Sequence, residues 1–146
     1  MPSPKNQPTY DDVNLLMKLY EMRREERMRK ARAWFATNFR AATLDEFWKL
    51  CPAGSEENAS YRQVTSYWEM VASFVNRGVL NEELFFENSR EMLLVWVRIE
   101  PLLPLAREAF KDPFAHHNLE AVSRRYMAWM NERAPGSYEA FAGRVK

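Results

Sequence analysis

NEELFFENSREMLLVWVRIEPLLPLAREAF, residues 81–110, is the most apolar helical pattern in the chain. Set at about 100° per residue, Phe85, Met92, Val95, Trp96, Ile99 and Leu103 form one broad apolar sector. Phe86, Leu93 and Val97 widen it to about half the circumference or more. Glu87, Arg90, Glu91 and Arg98 gather on what remains. A helix with so little polar surface must be covered from two or more sides, because each exposed apolar side chain forgoes roughly 1.5–3 kcal/mol of burial. The stretch therefore reads as a hub, and the other segments as its covers.

Its limits are written locally. Gly78 suits the end of a preceding helix, since it takes positive φ without a Cβ clash. Asn81 then reads as the N-cap, with Glu82 and Glu83 in the first turn, where negative charge suits the helix dipole. Pro101 and Pro104 lack an amide hydrogen, so the pattern predicts a kink or break near Glu100 and a resumption over Leu105–Phe110.

Working outward, residues 1–9 carry Pro2, Pro4 and Pro8 and no apolar periodicity, which reads as a flexible tail ahead of a single helical domain over 10–146. An uninterrupted helical pattern spans about 11–39, with Thr9 or Asp11 as its cap. Its ends are apolar: Val13, Leu15, Leu16, Leu19 and Tyr20, then Ala31, Trp34, Phe35 and Phe39. Its middle, Lys18 to Arg32, holds seven basic residues against three acidic ones. Thr43-Leu44-Asp45-Glu46 is a capping box opening a short helix at about 44–50, stopped by Pro52. After the loop CPAGSEEN, a helix over about 59–77 carries the stripe Tyr61, Val64, Trp68, Val71, Ala72 and Val75. The last long helix, about 115–133, carries Leu119, Val122, Tyr126, Trp129 and Met130. Ser137–Ala142 reads as a terminal helical turn.

The five tryptophans fall one per segment, which reads as one aromatic anchor per helix in a common core. No alternating run resembles a strand. The fold class is all-α: an irregular bundle of four main helices (about 11–39, 59–77, 81–110, 115–133) plus the short one.

The bulk numbers narrow the classes. With 146 residues, 47% hydrophobic and 14% aromatic, the chain is long enough for one sizeable core and too apolar for disorder. A net charge of +1 selects no charged partner. Cys51 is the single cysteine, so no intrachain disulfide forms and a reducing, cytoplasmic setting fits. No apolar run reaches the roughly 18 residues of a membrane span, and MPSPKNQP is too polar for a signal peptide, so no membrane role is expected.

Chemical motifs are sparse. The four glycines are isolated, and no phosphate cradle, nucleophile elbow or HExxH is present. A carboxylate-bridged dimetal bundle needs Glu-x-x-His, which the chain lacks. His116 and His117 are adjacent, so on a helix they diverge and chelate poorly; no metal and no cofactor is expected. His116 with Glu120 has the spacing of a helix-surface pair. Cys51 reads as a buried inert thiol, and no catalytic residue is assigned.

With the segments placed, the chain resembles a family of uncharacterised bacterial helical proteins classed only as a domain of unknown function. The features that carry this are the long first helix ending at Trp34-Phe35, the Asp45-Glu46-Phe47 helix with its Pro52 loop, and Tyr67-Trp68-Glu69. The turn from Arg77 through Gly78 to Leu84, feeding a helix with Trp96 and then Pro101, completes them. The resemblance covers roughly residues 30–130. Members often carry an apolar membrane segment ahead of the charged helix, which this sequence lacks. The family has no established activity, so the resemblance assigns no functional residue.

Three functional expectations follow. The first is a non-enzymatic interaction module that binds a protein partner or itself through the first helix, at Leu15, Leu16, Leu19, Arg23, Arg24, Arg27 and Lys30. The second is a nucleic-acid-associated protein using Arg23–Arg32 against phosphates, although the mixed charges there suit a solvated face better. The third is an enzyme whose Glu69, Glu87 and Glu91 converge on a bundle pocket, with Glu91 and Arg98 as a partly buried ion pair.

Overall fold

The computed structural model describes residues 7–146, and among these the chain is all-helical, with no strand. Most of the tail expected over 1–9 lies outside the described residues. Nine helices follow in order among them: α1 (Tyr10–Arg23), α2 (Glu26–Asn38), α3 (Leu44–Leu50), α4 (Glu56–Asn76), α5 (Glu82–Asn88), α6 (Glu91–Ile99), α7 (Leu103–Ala109), α8 (His117–Arg133) and α9 (Ser137–Val145).

The long helices expected over 11–39 and 81–110 are each subdivided. The first breaks at Arg24–Glu25 without glycine or proline. Glu25 leaves helical geometry and its carboxylate accepts from the amides of Arg27 and Met28, both at 3.1 Å, so a glutamate does the work of an N-cap. The second breaks twice. Ser89 and Arg90 separate α5 from α6, and the turn Glu100–Leu102 separates α6 from α7, where the two prolines predicted it.

The cap signals at Asn81, Thr9 and Gly78 are used as read, and the box at Thr43 only in part. Asn81 Oδ1 accepts from the Leu84 amide at 2.8 Å. Thr9 caps α1, in a capping box closed by Asp12. Thr43 Oγ1 accepts from the Glu46 amide at 3.1 Å, while Glu46 reaches back to the amide of Ala42 rather than that of Thr43. Gly78, at φ 75°, ends α4 with the amides of Gly78 and Val79 bonded to Val75 and Phe74.

The core is organised around two helices. Seven of the nine residues of α6 are buried, and it packs against α4, α8 and α9, as its apolar sector requires. The longer α4 is the second centre, lying against α2, α5, α6 and α8 with Val64, Trp68, Val71, Ala72 and Val75 buried. Phe39 joins three helices at the other end: its ring stacks on Phe35 at 4.9 Å and meets Phe47 of α3 and Tyr61 of α4 edge-on. Tryptophans do not serve every helix equally. Trp68 and Trp96 are core residues, but Trp48 remains 41% exposed, because the seven-residue α3 turns it outward beside Phe110.

Candidate functional site

The residues expected to bind a partner are divided by the structure between inside and outside. Leu19 is in the core, and its carbonyl accepts from the Tyr67 hydroxyl at 2.7 Å. Leu15 and Leu16 are half-buried against that core. Arg23 is also held inward: its guanidinium lies 5.3 Å from the Trp68 ring and 5.4 Å from that of Tyr20, with Glu91 at 4.0 Å. Arg24, Arg27 and Lys30 are exposed, and Lys30 pairs with Glu26 at 3.3 Å.

What α1 turns to solvent is a different apolar set. Tyr10, Val13, Met17 and Tyr20 are 80%, 44%, 56% and 47% exposed. Their spacing of three, four and three residues aligns them on one stripe, roughly a third of a turn from the Leu15–Leu19 face. Arg24, the C-cap residue, continues the spacing and lies 5.6 Å from the Tyr20 ring. Between the stripe and α4 and α5 runs a groove of about 360 Å³, floored by Tyr67, Trp68 and Phe85. Sequence reading grouped Val13 and Tyr20 with the core leucines; the 3-4-3 spacing that separates them was present in the sequence.

The three carboxylates weighed for catalysis have separate duties. Glu87 is exposed. Glu91 is engaged by a two-pronged contact from Arg32, at 2.8 and 2.9 Å, rather than by Arg98. Glu69 sits at the N-terminus of α8, where its oxygens accept from the Leu119 amide at 2.8 Å, the Asn118 amide at 3.3 Å and the Asn118 side chain at 2.9 Å. The N-cap residue of α8, His116, provides no side-chain bond, so Glu69 of another helix acts as the cap. Glu69→Ala should therefore cost about 1–2 kcal/mol, read by chemical denaturation, with faster amide exchange at Leu119 than elsewhere in α8. Exchange unchanged at Leu119 would refute the assignment.

Arg98, expected opposite Glu91, is instead one of the most internal charges. It is only 7% exposed and donates from Nη1 to the carbonyls of Phe35 and Phe39 at 3.2 and 2.9 Å, and from Nη2 to that of Ala36 at 2.9 Å. Its Nε donates to the Val145 carbonyl. One cation thus serves carbonyls at the C-terminal ends of both α2 and α9, where helix dipoles favour positive charge, and the Phe35 carbonyl also accepts from the Phe39 amide at 3.0 Å. Burial lowers its pKa from the ordinary value, and Arg40 lowers it further.

The remaining chemistry-bearing residues stay apart. Glu120 pairs with Arg107 and Arg124, at 2.9 and 2.8 Å, rather than with His116. Cys51 is buried, and desolvation, with Glu57 adding, pushes its thiol up to about 11, far from the range of reactive cysteines. Among the described residues, no three His, Cys, Asp or Glu side chains gather as a metal site.

Among the described residues, no helix is long and apolar enough to cross a membrane. No curated protein and no solved structure matches the chain. A family model does match, over residues 8–126, from the helix that carries the exposed stripe through most of α8. The chain therefore belongs to the family described as a domain of unknown function (DUF4760).

Proposed function

We propose that this domain is a self-association module whose contact surface is the outward stripe of α1. The observation that carries the reading is the spacing of the exposed set. Tyr10, Val13, Met17 and Tyr20 occupy the alternating three- and four-residue positions of a coiled-coil seam, and the fold leaves them uncovered. Apolar side chains in such a row are the usual mark of a contact surface rather than scattered surface residues.

The partner is a second copy, in antiparallel orientation. That arrangement sets Tyr10 against Tyr20 and Val13 against Met17 in both directions, as a two-fold contact requires. It also opposes the two helix dipoles. Leu16 and Arg23 flank the seam and extend it toward the groove. A phosphate-binding role for the same region has less support, because Glu25 and Glu26 lie among Arg24, Arg27 and Lys30, and Glu26 is paired with Lys30.

Sedimentation velocity tests the proposal. Wild type should run as a dimer at micromolar concentration, and Met17→Glu as a monomer, with affinity lowered at least about a hundredfold by burying two carboxylates in an apolar seam, each against Val13 of the other copy. Leu105→Glu, which alters an exposed leucine of α7, should leave the dimer intact. A wild-type chain that stays monomeric, or a Met17→Glu dimer, would overturn the reading.

A further inference from the structure

We propose that the cleft bounded by α3, α4 and α7 is a binding site for a small aromatic carboxylic acid. The cleft measures about 790 Å³, within the roughly 300–1,000 Å³ typical of small-molecule sites, and it lies away from the α1 stripe. Its walls are mainly apolar: Phe47 and Trp48 from α3, Leu103 from α7 and Phe110 beyond it. Trp48 and Phe110 meet edge-on across 6.2 Å, yet they remain 41% and 58% exposed. A flat ring seated beside them would complete the offset and edge-to-face contacts that aromatic pairs favour, and would cover area the fold leaves wet.

The polar features specify the acid. Arg62 of α4 lines the cleft, and its Nε donates to Asn58 Oδ1 at 2.9 Å. Asn58 is itself fixed by donating from Nδ2 to the Cys51 carbonyl at 3.0 Å. The guanidinium is thus oriented through Nε, while among the described residues no protein acceptor takes its Nη groups. An oriented fork with free donors matches a carboxylate better than a hydroxyl or an ammonium. Asp112, the acidic residue of the lining, accepts from the Phe114 amide at 3.3 Å.

Backbone strain marks the same place. Lys111 and His116 have φ of 54° and 55°, and they are the non-glycine residues in the left-handed region among those described. Both lie in the connection from α7 to α8, and His116 lines the cleft. Strain of this kind, of order 1–3 kcal/mol per residue, gathers at ligand sites, where the surroundings hold a loop in one shape. His116 Nδ1 is enclosed there without a hydrogen-bond partner. Desolvation, the leading cause, keeps the imidazole pKa below its ordinary value, so the imidazole stays neutral at pH 7 and Arg62 is the cation available to the acid.

Calorimetric titration with 2-naphthoate, 2-naphthalenemethanol and 2-naphthylmethylamine tests the site. The acid should bind with a Kd below about 1 mM, and the alcohol and amine at least about tenfold more weakly. Arg62→Ala, a change at an exposed position, should erase the preference for the acid while leaving the alcohol's affinity unchanged. Trp48→Ala should weaken acid and alcohol alike, and the acid should shift the Trp48 indole resonance in a heteronuclear NMR spectrum. No acid binding at about 1 mM, equal binding of the three probes, a preference retained in Arg62→Ala, or shifts confined to α1 would each overturn the assignment.

Discussion

Replacing Arg98 by methionine should lower unfolding free energy by about 3 kcal/mol, although methionine keeps most of the stem's volume. The loss comes from the carbonyls left behind. Ala36 and Phe39 at the end of α2, and Val145 at the end of α9, would each lose the arginine's donor in a place with little water to replace it, and Phe35 would keep only the Phe39 amide. At roughly 2–4 °C per kcal/mol for a chain of this size, the midpoint of thermal unfolding should fall by about 10 °C. Arg98→Lys should recover only part of this, because a single ammonium cannot span acceptors on two helices. A loss under about 1 kcal/mol for Arg98→Met would show that these carbonyls find other donors.

Phe39→Ala should be costlier still, about 4 kcal/mol by urea unfolding. Phe39 is fully enclosed, and its ring is shared by Phe35, Phe47 and Tyr61, so its removal opens a cavity among α2, α3 and α4 at once. Phe39→Leu, which refills most of the space, should cost less than half as much. Because the Phe39 carbonyl is also an acceptor for Arg98, the two substitutions should not add. A double-mutant cycle should give a coupling of at least about 0.5 kcal/mol, and strict additivity would separate the ring's role from the arginine's.

Both sites show where sequence reading succeeds and where it stops. Asn81, Thr9, Thr43 and Gly78 could be read because a cap depends on residues within four positions of one another. Pro101 and Pro104 announced the end of α6 for the same reason. Glu25 was missed because a glutamate is an ordinary helix former; only its folded conformation turns its carboxylate back onto Arg27 and Met28. Glu69 and Arg98 were assigned to chemistry or to the wrong partner because their acceptors and donors lie about fifty or sixty residues away. No periodicity records such a distance. The apolar stripe of α1 is an intermediate case. Its spacing was visible, but α1 carries two apolar faces, and deciding which one the protein keeps for itself required the position of α4 and Tyr67. Trp48 shows the same limit, since a tryptophan on a seven-residue helix can face either way.

Arg98 also sets an order of events as the chain is made. Three of its acceptors, on Phe35, Ala36 and Phe39, are synthesised before it, and the fourth, on Val145, forty-seven residues after it. A growing chain can therefore dock α6 against α2 while one side of the guanidinium still faces water. Only when α9 has left the ribosome and folded down does Val145 seal the cation in, with Phe141 and Ala142 buried beside it. Until that moment the nascent protein carries an unsealed charge next to its most apolar helix, a state that a ribosome-stalled chain ending before α9 would hold open.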